Sequence, residues 1–185
     1  SGFEVFIQPG IVEDIKEKGL TLGESNYVLI ESELNGLPTD FYQNVYPLLR
    51  AGFKPILAHG ERYVSIMKRP SKARELNDRD IYIQTNAGAL LGHYGEKVRQ
   101  TAWVLIDNGW THFLASDDHV RMDYEAYFDA CRLITERIDE TAAKLLCQGH
   151  PSAIANHEKI PYKYVMVKHS HHREHKRGLL ERFFG

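Results

Sequence analysis

Five short β-rich segments, separated by stretches of helical character, are the feature that most limits how this chain can fold. Strands that alternate with helices of this length predict right-handed βαβ units around a parallel sheet or barrel. The β-rich segments are Phe3–Ile7, Tyr27–Glu31, Pro55–His59, Ile81–Gln84 and Phe113–Ser116. The predicted helices are Asp40–Ala51, Ser71–Asp78, Gly95–Asn108, Asp123–Ile138 and Glu140–Cys147. We therefore predict an α/β fold with about five parallel strands and flanking helices.

Composition limits the class of protein and its partners. With 185 residues, 43% of them hydrophobic, the chain can bury a core as a single domain. A net charge of −2 does not indicate a nucleic-acid partner, and no apolar run is long enough to predict a transmembrane segment. Cys131 and Cys147 lie in predicted helices, and we expect them to be buried free thiols of a cytoplasmic protein, with a disulfide as the alternative.

The character of the sequence changes near its C-terminal end. Residues 162–185 are rich in basic residues and histidine, with four histidines between positions 169 and 175. Such a segment can contribute little to a core. We predict a β/α domain over residues 1–161, followed by a basic, His-rich tail over residues 162–185.

Polar residues sit at or near the ends of the predicted strands. Glu4 lies in the first β-rich segment, Glu31 and His59 end the second and third, and Asp117 and His119 follow the fifth. In parallel α/β folds the carboxyl ends of the strands open onto the active-site face. Any one of these residues could be a hydrogen-bonded structural group. Together they form a set of nitrogen and oxygen ligands for divalent metal and predict a metallohydrolase.

Two arginines lie close to these positions in the sequence. Arg62 follows His59 by three residues, and Arg121 follows His119 by two. A guanidinium on the same face could bind phosphate through two hydrogen bonds and offset negative charge in a transition state. The alternative for Arg62 is a salt bridge with Glu61 or another nearby acid.

Several stretches of the sequence resemble a known family. They are GFEV at 2–5, YVLIE at 27–31, PILAHGERY at 55–63, QTN at 84–86 and ASDDH at 115–119. In this order they are similar to the metal-dependent bacterial protein-tyrosine phosphatases of capsule and exopolysaccharide operons, in the polymerase and histidinol phosphatase (PHP) superfamily. The resemblance implies a distorted TIM-like β/α barrel with divalent metal ions at the strand ends. Manganese is the expected metal, with iron, cobalt, magnesium or zinc as alternatives.

The resemblance also implies roles for individual residues. Glu4, Glu31, His59, Asp117 and His119 match metal ligands of the family. Arg62 matches an arginine that contacts phosphate, and Arg121 is a second candidate for that role. The implied reaction is hydrolysis of phosphotyrosine by a metal-activated hydroxide, without a cysteine phosphoenzyme. The implied substrate is the C-terminal tail of a bacterial tyrosine kinase, which would recruit a cytoplasmic phosphatase to the inner face of the membrane.

The chain departs from the family pattern at its start. Family members begin with a strand carrying H-x-H and a second strand ending in histidine, whereas this sequence starts at the segment matched by Glu4. We therefore expect an incomplete barrel of about five strands, which a second copy of the chain or a separate N-terminal fragment could complete. Two other functions remain open: a phosphatase for a small phosphomonoester such as histidinol phosphate, and an inactive barrel fragment that binds a partner.

Overall fold

Five parallel strands lie side by side, in chain order, in the computed structural model, which describes residues 3–117 and 124–161. Each strand is hydrogen-bonded to the next one along the chain, with Val28 opposite Pro55 and Thr85 opposite Leu114 as examples of the register. The strands are β1 (Val5–Phe6), β2 (Tyr27–Glu31), β3 (Lys54–Leu57), β4 (Tyr82–Asn86) and β5 (Phe113–Ala115). The predicted α/β fold with parallel strands is confirmed. The predicted tail at 162–185 lies outside the described residues.

Helices connect the strands and continue after the last one. They are α1 (Ile11–Lys18), α2 (Phe41–Arg50), α3 (Val64–Lys68), α4 (Ser71–Asn77), α5 (Ala87–Leu91), α6 (Glu96–Asp107), α7 (Glu125–Arg137), α8 (Glu140–Lys144) and α9 (His150–Ala155). A 3-10 turn over Gly60–Arg62 follows β3, and a π-helical turn over Leu145–Gly149 joins α8 to α9. Within the described ranges, no helix is both long enough and apolar enough to cross a membrane.

Successive side chains of a strand point to opposite faces of the sheet, and different elements cover these two faces. On β2, Val28 and Ile30 pack with helices α1–α4 in one apolar cluster, whereas Tyr27 and Leu29 pack on the opposite face, where Ile154 of α9 also lies. A third cluster joins helices α5–α8 to β5. Burying a valine, leucine or isoleucine in such a cluster contributes about 1.5–3 kcal/mol relative to exposure. These clusters fix the strand ends on which the polar residues lie.

A disulfide between Cys131 and Cys147 connects α7 to the π-helical turn. The Cα atoms of the two residues are 6.6 Å apart, and no described cysteine is free. The expectation of free thiols is therefore wrong for this structure. The two cysteines face each other because α7 packs against the segment that follows α8, and the spacing of the cysteines in the sequence does not reveal that packing.

Candidate active site

Three of the predicted metal ligands come together although they lie beside three different strands: Glu4 precedes β1, Glu31 ends β2 and His59 follows β3. His59 Nε2 lies 3.4 Å from Glu31 Oε1 and 3.7 Å from Glu4 Oε2. One potential ligand atom from each of the three residues lies within 4.8 Å of the others. His59 is 2% exposed, and the carboxylates of Glu4 and Glu31 are partly open to solvent. We call Glu4, Glu31 and His59 the acidic triad.

The position of His59 depends on an unusual backbone conformation directly after β3. Its φ of 38° lies in the left-handed region, which costs a residue other than glycine about 1–3 kcal/mol. The imidazole stacks on the ring of Tyr63, with centroids 6.0 Å apart, and the Tyr63 hydroxyl accepts a hydrogen bond from the backbone N–H of Ser32 at 3.0 Å. Packing against a fixed aromatic ring therefore holds His59 toward the two carboxylates.

Glycine at position 60 allows the turn after His59 to lie directly against β4. A Cβ atom on Gly60 would come within 2.6 Å of Ile83 Cγ2, closer than real side chains approach. The turn carries His59 at its start and Arg62 at its end. The close contact at Gly60 therefore sets the distance of both side chains from the end of β4.

The electrostatics of the acidic triad fit a divalent cation. Burial and the nearby Arg62 guanidinium lower the pKa of His59, although Glu31 and Asp117 act in the opposite direction. A neutral imidazole is the form that binds metal. His59 Nδ1 is buried and has no hydrogen-bond partner among the described residues. Two carboxylates beside one neutral imidazole match the mixed oxygen and nitrogen donor sets of Mn²⁺, Fe²⁺ or Zn²⁺.

A second polar group lies at the ends of β4 and β5. Asn86 Nδ2 donates to Asp117 Oδ2 at 2.5 Å, and Gln84 Nε2 donates to Asn86 Oδ1 at 2.6 Å. Arg62 Nη1 lies 3.6 Å from Asp117 Oδ2. Asp117 has a φ of 52°, so its backbone is also left-handed. We call Gln84, Asn86, Asp117 and Arg62 the polar chain, because each member contacts the next.

Glu61 connects the turn that carries Arg62 to the end of β4. Its side chain is fully buried, and Oε1 accepts a hydrogen bond from the backbone N–H of Asn86 at 3.2 Å. Oε2 has no hydrogen-bond partner within the described part of the chain. Burial raises the pKa of Glu61 to about 8, against the opposing effects of its hydrogen bonds and of Arg62. Glu61 therefore acts mainly as a neutral hydrogen-bond acceptor at neutral pH.

The structure describes five of the seven predicted site residues and places them in two groups. Glu4, Glu31 and His59 form the acidic triad, whereas Arg62 and Asp117 contact each other in the polar chain. Asp117 still acts electrostatically on His59. His119 and Arg121 lie outside the ranges that the structure describes. Of the alternatives for Arg62, the salt bridge is formed with Asp117 and not with Glu61.

Sequence reasoning assigned no role to Asn86, Glu61 or Tyr63, which all contact the site. A signal for Asn86 was present in the sequence, since Gln84 and Asn86 are two amide side chains in a strand that is buried along its whole length. Buried polar side chains need hydrogen-bond partners. The identity of the partner depends on the register of β4 against β5, in which Asn86 lies opposite Ala115.

Comparison with known sequences identifies the family. The family described as capsular polysaccharide synthesis, CpsB/CapC, matches residues 1–156. The chain belongs to the CpsB/CapC family. The matched range includes the acidic triad and the polar chain, so the residues gathered at this site lie within the CpsB/CapC domain.

Individual CpsB/CapC relatives are longer than this chain. CapC of Staphylococcus aureus is 37% identical over 119 residues, and the tyrosine-protein phosphatase YwqE of Bacillus subtilis is 31% identical over 119 residues. Each of these alignments covers 64% of this chain and 47% of the relative. The tyrosine-protein phosphatase CpsB of Streptococcus agalactiae is 27% identical over 167 residues, and the alignment covers 84% of this chain and 68% of the relative. The chain thus spans about half the length of the first two relatives.

The CpsB/CapC fold is also present in a solved structure. It comes from a study of YwqE of Bacillus subtilis and CpsB of Streptococcus pneumoniae, described as metal-dependent tyrosine phosphatases. The similarity covers 89% of this chain and 68% of the solved chain, with a TM-score of 0.79 and 24% sequence identity. This similarity establishes that the two chains share a fold.

Proposed function

We propose that this chain carries the catalytic residues of a metal-dependent protein-tyrosine phosphatase that acts in capsular or exopolysaccharide synthesis. The observation that carries the proposal is the acidic triad, in which two carboxylates lie within 3.7 Å of a buried imidazole. Membership of the CpsB/CapC family and the names of the relatives support it.

Metal binding is the first part of the proposal. Glu4, Glu31 and His59 would hold a divalent cation, for which we propose manganese, and Asp117 and His119 would add further ligands. In this arrangement Asp117 would serve both the metal and Arg62, since its carboxylate also lies 3.6 Å from that guanidinium. A bound divalent cation would supply Lewis acidity and lower the pKa of a nearby water.

Phosphate binding is the second part of the proposal. Arg62 is 30% exposed, so its guanidinium can reach a group that enters from solvent. A guanidinium binds phosphate oxygens through two parallel hydrogen bonds and offsets their charge. Arg121 would act as a second contact to the phosphate group. Hydrolysis would add water across the bond between phosphorus and the phenolic oxygen, releasing tyrosine and inorganic phosphate.

The family supports a proposal for the substrate and the location. We propose that the substrate is a phosphotyrosine segment of a bacterial tyrosine kinase that controls polysaccharide export. The phosphatase would act in the cytoplasm, where the kinase would recruit it to the inner face of the membrane.

The test compares manganese binding with phosphate release by the purified chain. Phosphate released from a phosphotyrosine peptide, from the matching phosphoserine peptide and from a small alkyl phosphate is measured with and without added Mn²⁺. We expect manganese-dependent release from the phosphotyrosine peptide only. Glu31→Gln should remove both the binding and the activity, because it replaces one carboxylate of the acidic triad.

A matched control keeps this test specific. Glu33 is an exposed glutamate two residues beyond Glu31, and Glu33→Gln should change neither manganese binding nor phosphate release. Manganese binding without phosphate release would contradict the proposed reaction. Release from the alkyl phosphate alone would favour a small phosphomonoester as the substrate. Failure to bind manganese would contradict the metal site.

A further inference from the structure

Tyr94 lies beside Arg62 at the site, in the segment between α5 and α6. The Arg62 Cζ atom lies 5.1 Å from the centre of the Tyr94 ring, within the range of a cation–π contact. Tyr94 is 41% exposed, so its ring lies at the surface of the site and not in the core. The sequence stretches that resemble the phosphatase family do not include this residue.

The ring of Tyr94 packs against α5. A Cβ atom on Gly88 would lie 3.3 Å from Tyr94 Cε2, which shows that the ring packs closely over the backbone of α5. Burial and the nearby Asp117 carboxylate raise the pKa of Tyr94, whereas the Arg62 guanidinium lowers it.

Arg62 is thus contacted by one acidic and one aromatic side chain of the site. The carboxylate of Asp117 lies 3.6 Å from its Nη1, and the Tyr94 ring lies against its guanidinium carbon. A free arginine side chain has about 2 kcal/mol of rotamer entropy, which is lost when it binds a ligand in one orientation. An aromatic ring that already restricts the guanidinium reduces that loss when phosphate binds.

We propose that Tyr94 is a positioning residue for Arg62: its ring holds the guanidinium in the orientation that binds the phosphate group of the substrate. This inference rests on the proposed function, because it takes Arg62 to be the residue that binds phosphate. Tyr94 acts here through Arg62, so the same effect is expected for every phosphate ligand, whether or not it contains an aromatic ring.

The first test measures inorganic phosphate binding to the manganese-loaded chain by calorimetry. Arg62→Ala should weaken binding by at least about tenfold, the effect of losing a hydrogen bond to a charged group. Tyr94→Leu should weaken it by about two- to fivefold, the range of an exposed cation–π contact. Tyr94→Phe keeps the ring and should bind phosphate like the unchanged chain. In an Arg62→Ala background, Tyr94→Leu should have no further effect.

A second measurement tests the contact itself without metal or phosphate. The side-chain Nε–H signal of Arg62 in an NMR spectrum should be shifted by the ring current of Tyr94. The shift should persist in Tyr94→Phe and disappear in Tyr94→Leu. Tyr42→Leu is the matched control, because it removes the similar contact of Arg79 with Tyr42, at 3.9 Å, and should leave both phosphate binding and the Arg62 signal unchanged.

The outcomes separate this inference from the proposed function. Weaker phosphate binding in Arg62→Ala but not in Tyr94→Leu would overturn the role of Tyr94 and leave the role of Arg62 in place. Unchanged binding in Arg62→Ala would contradict the proposed phosphate contact. A loss in Tyr94→Leu confined to aryl phosphates would show that Tyr94 contacts the substrate ring directly, which would also overturn positioning through Arg62.

Discussion

The two halves of the sheet end in polar groups that are organised in opposite ways. On the side of β1–β3, the acidic triad places two partly exposed carboxylates around one buried imidazole, whose Nδ1 has no hydrogen-bond partner among the described residues. On the side of β4 and β5, amide side chains are hydrogen-bonded to one another and to a carboxylate in the polar chain. The first group concentrates negative charge, whereas the second satisfies most of its polar atoms internally.

This difference indicates which half depends on an external ligand. Close carboxylates repel each other unless a cation or a donor lies between them, so the acidic triad gains most from a bound metal. The polar chain gains from hydrogen bonds that form as the protein folds. Removing a residue of the acidic triad should therefore change metal binding, and removing an amide side chain of the polar chain should change the free energy of unfolding.

The largest expected effect is the loss of metal when His59 is replaced. His59→Ala removes the imidazole at the centre of the acidic triad, and we expect manganese affinity to fall by more than the 10- to 100-fold typical of outer-shell partners. Calorimetry and the metal content after dialysis measure this change. His157→Asn is the control, because His157 is exposed and asparagine tolerates its left-handed backbone. Equal manganese affinity in the two variants would rule out the acidic triad as the metal site.

A large effect on stability is expected from the disulfide that connects α7 to the π-helical turn. Reducing Cys131–Cys147, whose two cysteines are 16 positions apart in the sequence, should lower the free energy of unfolding by about 2–4 kcal/mol. Urea unfolding with and without dithiothreitol measures the difference, and a variant with serine at both positions should not respond to the reductant. Two reactive thiols in the untreated, folded protein would contradict the disulfide.

An intermediate effect is expected from Asn86. Asn86→Ala removes the hydrogen bonds that its side chain makes with Gln84 and Asp117, the first of them buried, which should destabilise the protein by about 1–3 kcal/mol in urea unfolding. Asn108→Ala is the matched control, because its side chain donates to the Val104 carbonyl from an exposed position and its loss should cost less than about 0.5 kcal/mol. Similar losses in the two variants would mean that the polar chain does not stabilise its half of the sheet.

The smallest expected effect is a change of stability with pH that depends on His150. Burial lowers the pKa of His150, although its hydrogen bond to the His112 carbonyl acts against this. The folded protein therefore binds a proton less readily than the unfolded chain does, so the contribution of His150 is intact above its ordinary pKa of 6.5 and is lost as the pH falls below it. His59 titrates in the same direction and Glu61, whose pKa is raised by burial, acts in the opposite direction, so the contribution of His150 has to be separated from both.

The separation uses a substitution that cannot titrate. Unfolding free energies at pH 7.5 and pH 5.5 are compared for the unchanged chain and for His150→Gln, with His59 present in both. Acidification should lower the unfolding free energy less, or raise it more, in the variant than in the unchanged chain. An equal change in the two proteins would show that His150 does not contribute to the pH dependence.

The sequence predicted the strands well because local signals specify them. The predicted segment Tyr27–Glu31 matches β2 at both ends, and β3 begins and ends close to its predicted bounds. Helices with clear amphipathic spacing, such as α2 and α6, were also predicted. By contrast, α5 has five residues including a glycine and is buried along most of its length, so it shows no polar face from which a helix could be predicted.

The candidate site could be predicted only in part, since much of it depends on contacts between distant residues. The strand-end rule indicated Glu31 and His59, because both directly follow apolar runs. The same rule could not show that Asp117 pairs with Arg62 and Asn86, which depends on the register of neighbouring strands and on a left-handed backbone at position 117. Tyr94 could not be connected with Arg62 for a similar reason: 31 residues separate the two in the sequence, and only the tertiary fold brings them together.

The order of the strands has a consequence for how the site is made during synthesis. Each strand from β2 to β5 pairs with the strand before it, so its partner has already emerged from the ribosome when it is synthesised. The whole acidic triad lies between residues 4 and 59, whereas Asn86 and Asp117 emerge later. A nascent chain could therefore gather its metal ligands before the polar chain exists, and a cation captured at that stage would stabilise β1–β3 while β4 and β5 are still being translated.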